Sequence, residues 1–233
     1  MSNVGSIPSR PTDVNMARCD VGICSQPLKL AFTGSIPVRV TTLSWRSAMH
    51  KETYHYDHVY VVHHFLTEDE CDSFIRISES IGFGDAPITT PTGPRMRKDV
   101  RNNSRVMKDD PELAKQLWSR AEPWVITPWR NRRAIGLNER FRFYRYEPGQ
   151  LFAPHYDGAF ERSNGEKSEF TFLVYLNDDF QGGETRFFHP GVFNVVPKAG
   201  SLLIFHHPQL HEGAVILSGT KYVLRSDVMY EKE

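Results

Sequence analysis

The sequence predicts a mainly β (α+β) protein, an all-β sandwich or jelly roll with two helices before it. About eight short strand-like segments follow one another from residue 138 onward. Gly, Pro, Asn and Asp separate several of these segments, as expected for antiparallel strands. Two helical patterns precede this region and are expected to pack on its outer face. The length of 233 residues suits one such domain with a buried core.

Composition excludes several classes of protein. The 28 basic and 28 acidic side chains balance, so nucleic acid is not the expected partner. No apolar run approaches the roughly 18 residues of a membrane helix, so no membrane partner is expected. The three cysteines, Cys19, Cys24 and Cys71, form no disulfide framework. Sparse, unpaired cysteines favour a reducing compartment and therefore a cytoplasmic location.

The first 52 residues differ from the rest of the chain and are rich in Ser, Thr, Val and Pro. Three interpretations remain open: a disordered tail, an organelle-targeting segment, or translation upstream of a functional start at Met49. The folded domain is predicted over residues 53–233.

Clear patterns begin at a strand predicted over Val59–Phe65. Thr67 and Glu70 form a capping-box signature, which predicts a helix to about Ser80. Asp110-Pro111 opens a second helix, with proline at the first helical position.

The segment 85–105 between the two helices is predicted to be an exposed loop. It contains several prolines and five basic residues between Arg95 and Arg105. These charges fit either a solvated loop or a surface that meets an acidic peptide or a phosphorylated small molecule.

The predicted jelly-roll core covers residues 138–231. Its strands are expected at 140–147, 151–156, 169–177, 184–189, 192–197, 201–206, 213–217 and 221–230.

A candidate metal site lies in this β region. His155 and Asp157 stand two residues apart on a predicted strand, so their side chains share one face. His211 would complete a triad of two histidines and one carboxylate, which holds Fe(II) and leaves other positions open. A second His-x-Asp pair, His55 and Asp57, lies before the first helix and has no matching downstream histidine.

The order of five motifs resembles the prolyl 4-hydroxylase-type 2-oxoglutarate- and Fe(II)-dependent dioxygenases. The resemblance covers roughly residues 56–231. Its motifs are FYRYEPGQLFAPHYD (143–157), FLVYLN (172–177) with GGET (182–185), VPKAGSLLIF (196–205), HEG (211–213) and KYVLR (221–225). The resemblance implies a double-stranded β-helix, a jelly-roll barrel.

The resemblance also implies a 2-oxoglutarate site. Lys221 stands ten residues after His211, where the family places the cation that binds the far carboxylate. Arg225 shares its strand face and is the alternative anchor, or a substrate contact. Tyr146 is expected near the iron end of 2-oxoglutarate, and Tyr175 near its far carboxylate.

The implied reaction consumes dioxygen and 2-oxoglutarate, releases succinate and CO2, and hydroxylates an unactivated C–H bond. Ascorbate is a possible accessory reductant by the same resemblance. The substrate, a peptidyl residue or a small molecule, is not fixed by fold and motif. The alternative is a catalytically silent, cupin-like module that binds 2-oxoglutarate or a metal.

Overall fold

A computed structural model describes residues 48–90 and 92–232. Most of the predicted extension over residues 1–52, with Cys19 and Cys24, lies outside the described residues. The first strand begins at His50, inside the range that the sequence assigns to that extension.

The described part contains two α-helices, α1 (Glu68–Ile81) and α2 (Pro111–Ala121), and a short 3-10 helix, Glu122–Trp124. Its strands are β1 (His50–His55), β2 (Val59–His63), β3 (Gly84–Asp85), β4 (Ile88–Thr90), β5 (Gly93–Arg95), β6 (Ser104–Asp109), β7 (Ala134–Leu137), β8 (Arg140–Tyr146), β9 (Phe152–His155), β10 (Lys167–Tyr175), β11 (Gln181–Gly182), β12 (Thr185–Phe187), β13 (Phe193–Val195), β14 (Leu202–His206), β15 (His211–Gly213), β16 (Ile216–Ser218) and β17 (Lys221–Tyr230).

Two antiparallel sheets form the jelly roll. The large sheet has the order β1-β2-β14-β10-β17-β8-β6-β3, with β7 paired to β17. The small sheet has the order β13-β12-β15-β9, and β11 pairs with β16. Several neighbours in these sheets, such as β2 with β14, β10 with β17, and β9 with β15, are distant in sequence, as in a double-stranded β-helix. The predicted fold class is therefore confirmed.

The two helices pack on one face of the large sheet. Thr67 and Glu70 form the predicted capping box at the start of α1, and the Asp110 side chain accepts a hydrogen bond from the Leu113 amide at the start of α2. The Phe74 ring of α1 meets the Phe143 ring of β8 at 6.2 Å between centroids. This face therefore carries one of the two cores.

The opposite face of the large sheet turns towards the small sheet. Strand alternation sends Tyr144 and Tyr146 of β8 to this side, away from Phe143. They pack in a second core with residues of the small sheet such as Phe187. The alternation of side chains along β8 thus gives this strand one apolar face that meets the helices and one face with tyrosines and arginines that turns towards the small sheet.

The segment 85–105 is not a plain exposed loop, and that prediction was wrong in part. It contains β4 and β5 as a hairpin, and Arg101 and Asn103 are buried. The basic residues suggested exposure to solvent, but the segment 100–102 is held against β9, where the Ala153 amide donates a hydrogen bond to the Val100 carbonyl at 2.8 Å.

We find no membrane-spanning helix among the described residues. None of their helices has the length and hydropathy that crossing a bilayer requires.

Candidate active site

Two histidines face each other across neighbouring strands of the small sheet. His155 at the end of β9 pairs in register with His211 at the start of β15. Their ring centroids are 4.3 Å apart. Asp157 lies just beyond β9, because that strand ends at His155 and not at residue 156 as predicted. The carboxylate nevertheless reaches the two imidazoles, so the structure brings the three predicted side chains together.

The three side chains present their ligand atoms to one point. One ligand atom from each residue lies within 4.8 Å of the others. Asp157 Oδ1 is 3.7 Å from His155 Nε2, and Asp157 Oδ2 is 3.8 Å from His211 Nε2. Such separations leave space for a metal ion between the atoms.

Backbone carbonyls fix the tautomer of both histidines. His155 Nδ1 donates to the Ala153 carbonyl at 2.8 Å, and His211 Nδ1 donates to the Gln209 carbonyl at 2.9 Å. Each Nε2 therefore carries a lone pair directed at the site. Metal-binding histidines have this arrangement, and two nitrogens with one carboxylate suit Fe(II). The residues present therefore fit the implied metal.

The protonation states also suit metal binding. Burial lowers the pKa of His211 to about 4, so its imidazole is neutral at neutral pH. Burial alone would raise the pKa of Asp157, but Arg225 and the two imidazoles hold that pKa well below its usual value. The carboxylate is ionised without any metal present.

Thr171 is a part of the site that sequence reasoning missed. Its hydroxyl donates to Asp157 Oδ2 at 2.7 Å and lies 3.2 Å from His207 Nδ1. The signal in the sequence is a polar residue between Phe170 and Phe172, within the apolar second half of β10.

Lys221 lies at the start of β17 in the large sheet, beside tyrosines of the second core. It is 4% exposed and stands opposite Tyr146 in the pairing of β17 with β8. Its Nζ is 5.6 Å from the Tyr146 ring centroid and 5.3 Å from that of Tyr175. The structure therefore brings together the predicted lysine and both predicted tyrosines.

The surroundings of Lys221 contain no carboxylate at ion-pair distance among the described residues. Its Nζ donates to the Gly183 carbonyl at 2.5 Å, and the Tyr175 hydroxyl is 2.7 Å from Thr185 Oγ1. Burial lowers the pKa of Lys221 to about 7. A buried amine without an acidic partner fits the carboxylate of a bound acid.

Arg225 has different partners from Lys221. Its Nη2 lies 3.1 Å from Asp157 Oδ2 and 3.3 Å from Asp227 Oδ1. The alternation along β17 does put both cations on the same face, as predicted, but Arg225 is already paired with two carboxylates.

Part of the chain matches a known protein family. Residues 141–226 match the model of the 2OG-Fe(II) oxygenase superfamily. Five motifs, the jelly roll and the His-Asp-His cluster all fall in or beside that range. Over this range the chain is similar to the 2OG-Fe(II) oxygenase superfamily, which is named for Fe(II) and 2-oxoglutarate.

The chain is also similar to prolyl 4-hydroxylases, which confirms the predicted resemblance. Probable prolyl 4-hydroxylase 7 of Arabidopsis thaliana is 25% identical over 189 residues, which cover 79% of this chain and 55% of that protein. Prolyl 4-hydroxylase 1 of the same plant is 27% identical over 192 residues, with 70% and 66% covered. The chain thus spans less than two thirds of the length of these curated relatives.

Two solved structures share the fold. The collagen prolyl hydroxylase of Paramecium bursaria chlorella virus-1, in its 2OG complex, has a TM-score of 0.56 at 22% identity and covers 74% of this chain and 96% of its own. A Trichoplax adhaerens prolyl hydroxylase, solved with a hypoxia inducible factor peptide fragment, has a TM-score of 0.58 at 16% identity, with 74% and 84% covered.

Proposed function

We propose that this protein is an Fe(II)- and 2-oxoglutarate-dependent dioxygenase that hydroxylates an unactivated C–H bond and releases succinate and CO2. The observation that carries the proposal is that two features border the same core. A His-Asp-His cluster with fixed tautomers packs against Phe187 and Phe205 of the second core, and the buried amine of Lys221 lies beside Tyr146 and Tyr175 of that core.

His155, Asp157 and His211 are proposed as the ligands of Fe(II). The hydrogen bonds from Nδ1 to backbone carbonyls orient both imidazoles before the metal arrives. Thr171 and Arg225 hold the carboxylate in place from the large sheet. A ligand set that is preorganised in this way loses little entropy when it binds the ion.

Lys221, in its protonated form, is proposed to bind the far carboxylate of 2-oxoglutarate. Tyr175 and Tyr146 line the pocket on either side of the amine and are proposed to position the co-substrate. The predicted alternative, Arg225, is less suited because Asp157 and Asp227 already neutralise it.

Bound Fe(II) and 2-oxoglutarate supply the oxidative chemistry, coupling decarboxylation of the keto acid by dioxygen to C–H hydroxylation. The chain supplies binding, orientation and exclusion of water. Phe152 stacks on His155 with 3.5 Å between ring centroids, and Phe205 packs edge-on against His211 at 4.6 Å. These rings shield the histidines and keep the site dry.

The substrate is proposed to be a peptidyl residue or a small molecule. The names of the prolyl 4-hydroxylase relatives support peptidyl proline as one candidate.

Ascorbate is proposed as an accessory reductant. A cytoplasmic location is proposed from the sparse cysteines, and the buried thiol of Cys71, whose pKa burial raises to about 12, agrees with it. Cell fractionation tests the location.

Succinate formation tests the proposed reaction. We expect purified protein with Fe(II), 2-oxoglutarate and air to form succinate slowly without substrate, and Asp157→Ala to form none. His55→Ala removes the histidine of the other His-x-Asp pair and is the matched control, with wild-type rates expected. Succinate formation by Asp157→Ala at the wild-type rate, or its absence from metal-loaded wild-type protein, contradicts the proposal and favours the silent cupin-like module.

A further inference from the structure

Four arginines gather on the inner face of the large sheet beside the candidate active site. Arg142 on β8 and Arg225 on β17 stand opposite each other, and Arg105 on β6 stands opposite Tyr144. Arg101 precedes β6 and places its guanidinium carbon 4.5 Å from the Tyr144 ring centroid. Tyr144 therefore lies among these guanidinium groups.

Two of the four arginines are neutralised by acids of the chain. Arg225 contacts Asp157 and Asp227, and Arg142 Nη1 lies 3.1 Å from Asp227 Oδ2. The other two, Arg101 and Arg105, have no ion-pair partner among the described residues. The cluster therefore keeps an excess of positive charge next to the candidate active site.

Arg101 is a buried cation with an unsatisfied donor. The residue is 4% exposed, and its Nε donates to Asn103 Oδ1 at 2.7 Å. Its Nη2 is buried without any hydrogen-bond partner. Leaving a charged donor unpaired in the interior costs free energy, so such a group is expected to meet an acceptor in the working protein.

Arg105 adds a second free cation at the same place. The residue is partly buried, and its side chain makes no hydrogen bond or ion pair with the described residues. Burial lowers its pKa, Tyr144 opposes this shift, and the charges of Arg101, Arg142 and Arg225, each a smaller effect than that of Tyr144, lower the pKa further. A group in this position gains from a nearby anion.

The acidic residues of the surrounding segments cannot supply that anion, because they have other partners. Asp85 lies 3.6 Å from Lys98, Asp99 lies 2.6 Å from Arg97, and Asp109 lies 2.8 Å from Arg140. These three carboxylates are therefore not free to pair with Arg101 or Arg105.

The position of Arg101 relates this anion site to the reacting centre. Its guanidinium carbon lies 4.4 Å from the Phe152 ring centroid, and Phe152 stacks on His155. Lys221 instead contacts the rings of Tyr146 and Tyr175, at 5.6 and 5.3 Å from their centroids. The two cations therefore have different aromatic neighbours.

We infer that the substrate of this protein carries an anionic group, a carboxylate or a phosphate, that binds to Arg101 and Arg105. Arginine forks suit both anions. The inference rests on the proposed function, since it names the chemistry of the substrate at the same site. It also gives a role to part of the basic segment 95–105, which the sequence left open between a solvated loop and an anion-binding surface.

Peptide binding to the protein loaded anaerobically with Fe(II) and 2-oxoglutarate tests the inference. The probes are the heptapeptide Ac-Ala-Glu-Ala-Pro-Ala-Glu-Ala-amide and its counterparts with glutamine or phosphoserine in place of glutamate. We expect at least one anionic peptide to bind tenfold or more tightly than the glutamine peptide, and this preference to shrink with added salt. The anionic peptide that binds more tightly shows whether the site prefers a carboxylate or a phosphate.

Variants locate the preference. Arg101→Met is expected to bind the anionic peptide and the glutamine peptide about equally. Arg105→Met is expected to keep part of the tenfold preference for the anionic peptide. If Arg101→Met does not fold, Arg105→Met serves as the test. Arg97→Met is the control, because this exposed arginine of the same segment is paired with Asp99. An unchanged preference in Arg101→Met, or a larger loss in Arg97→Met, overturns the inference.

The failure of this inference is distinct from that of the proposed function. Wild-type protein that forms succinate but binds neither anionic peptide, or binds the glutamine peptide equally well, overturns the inference alone. Wild-type protein that forms no succinate overturns the proposed function, while the peptide preference is still measured in that same protein.

Discussion

The hydroxyl of Thr171 donates a 2.7 Å hydrogen bond to the carboxylate of Asp157 and so ties the large sheet to the candidate metal centre. The same carboxylate oxygen lies 3.1 Å from Arg225 Nη2. Two contacts from neighbouring strands thus fix the orientation of a side chain that lies just beyond its own strand.

Replacing Thr171 with valine tests this support. Thr171→Val keeps the shape of the side chain but removes the donor, so we expect Fe(II) affinity to fall by about tenfold or more. Equilibrium dialysis of Fe(II) under anaerobic conditions measures it. Thr171→Ser keeps the hydroxyl and is the control. Equal Fe(II) affinity in the valine variant and the wild type shows that the hydrogen bond does not position the carboxylate.

Lys221→Ala tests the proposed anchor for 2-oxoglutarate. Removing one partner of a buried charge pair typically costs about 2–5 kcal/mol, so we expect the Kd for 2-oxoglutarate to rise by roughly 100-fold. Fe(II) affinity is expected to stay within about twofold. Calorimetric titration of the metal-loaded protein measures both. An unchanged Kd for 2-oxoglutarate assigns the anchor to Arg225.

The low pKa of Lys221 predicts that 2-oxoglutarate binding is linked to proton uptake. Burial lowers this pKa to about 7, so most of the free protein carries a neutral amine at pH 8. A bound carboxylate favours the ammonium and raises the pKa. Binding at pH 8 should therefore take up about one proton, and affinity should fall as pH rises above 7.

Calorimetry in two buffers of different ionisation enthalpy measures that proton uptake. Lys221→Met is the control and should show none. Binding at pH 8 without proton exchange contradicts the role of this amine, as does uptake that persists in the methionine variant.

Gly183→Ala is expected to disturb the surroundings of Lys221. A Cβ at this position would lie 2.4 Å from Ile216 Cδ1 and 3.3 Å from Lys221 Cδ, and the backbone has a φ of +70°. We expect a loss of about 1–3 kcal/mol in the free energy of unfolding, with weaker 2-oxoglutarate binding. Urea denaturation and calorimetry measure the two effects.

Gly191→Ala is the matched control, because nothing lies within 4 Å of a Cβ there. Its stability should change by about 0.5 kcal/mol or less. If Gly183→Ala is as stable as Gly191→Ala, the glycine is not required by close packing against Ile216 and Lys221.

The parts of the site that the sequence predicted are those set by strand geometry. Lys221 and Tyr146 lie on strands that also carry the recognisable motifs, and alternation along β17 puts Lys221 and Arg225 on one face. Asp157 reaches the two histidines although β9 ends at His155, because the irregular segment after that strand directs its carboxylate towards them.

The parts that the sequence missed depend on contacts between distant segments. Arg101 has the residue type and the neighbours of an exposed loop, and only the packing against Phe152 and Tyr144 buries it. The sequence of β1 has no local pattern that separates it from the preceding extension. It forms a strand because it pairs with the edge of β2. Local pattern does not encode such pairings.

Anaerobic visible absorption tests the central claim most directly. Adding Fe(II) and then 2-oxoglutarate to the protein should produce a new charge-transfer band, which His155→Ala loses and His55→Ala keeps. That result shows keto-acid chelation at an iron held by the predicted triad. Protein that demonstrably binds iron but gives no band on addition of 2-oxoglutarate, or a band that survives in His155→Ala, contradicts the account.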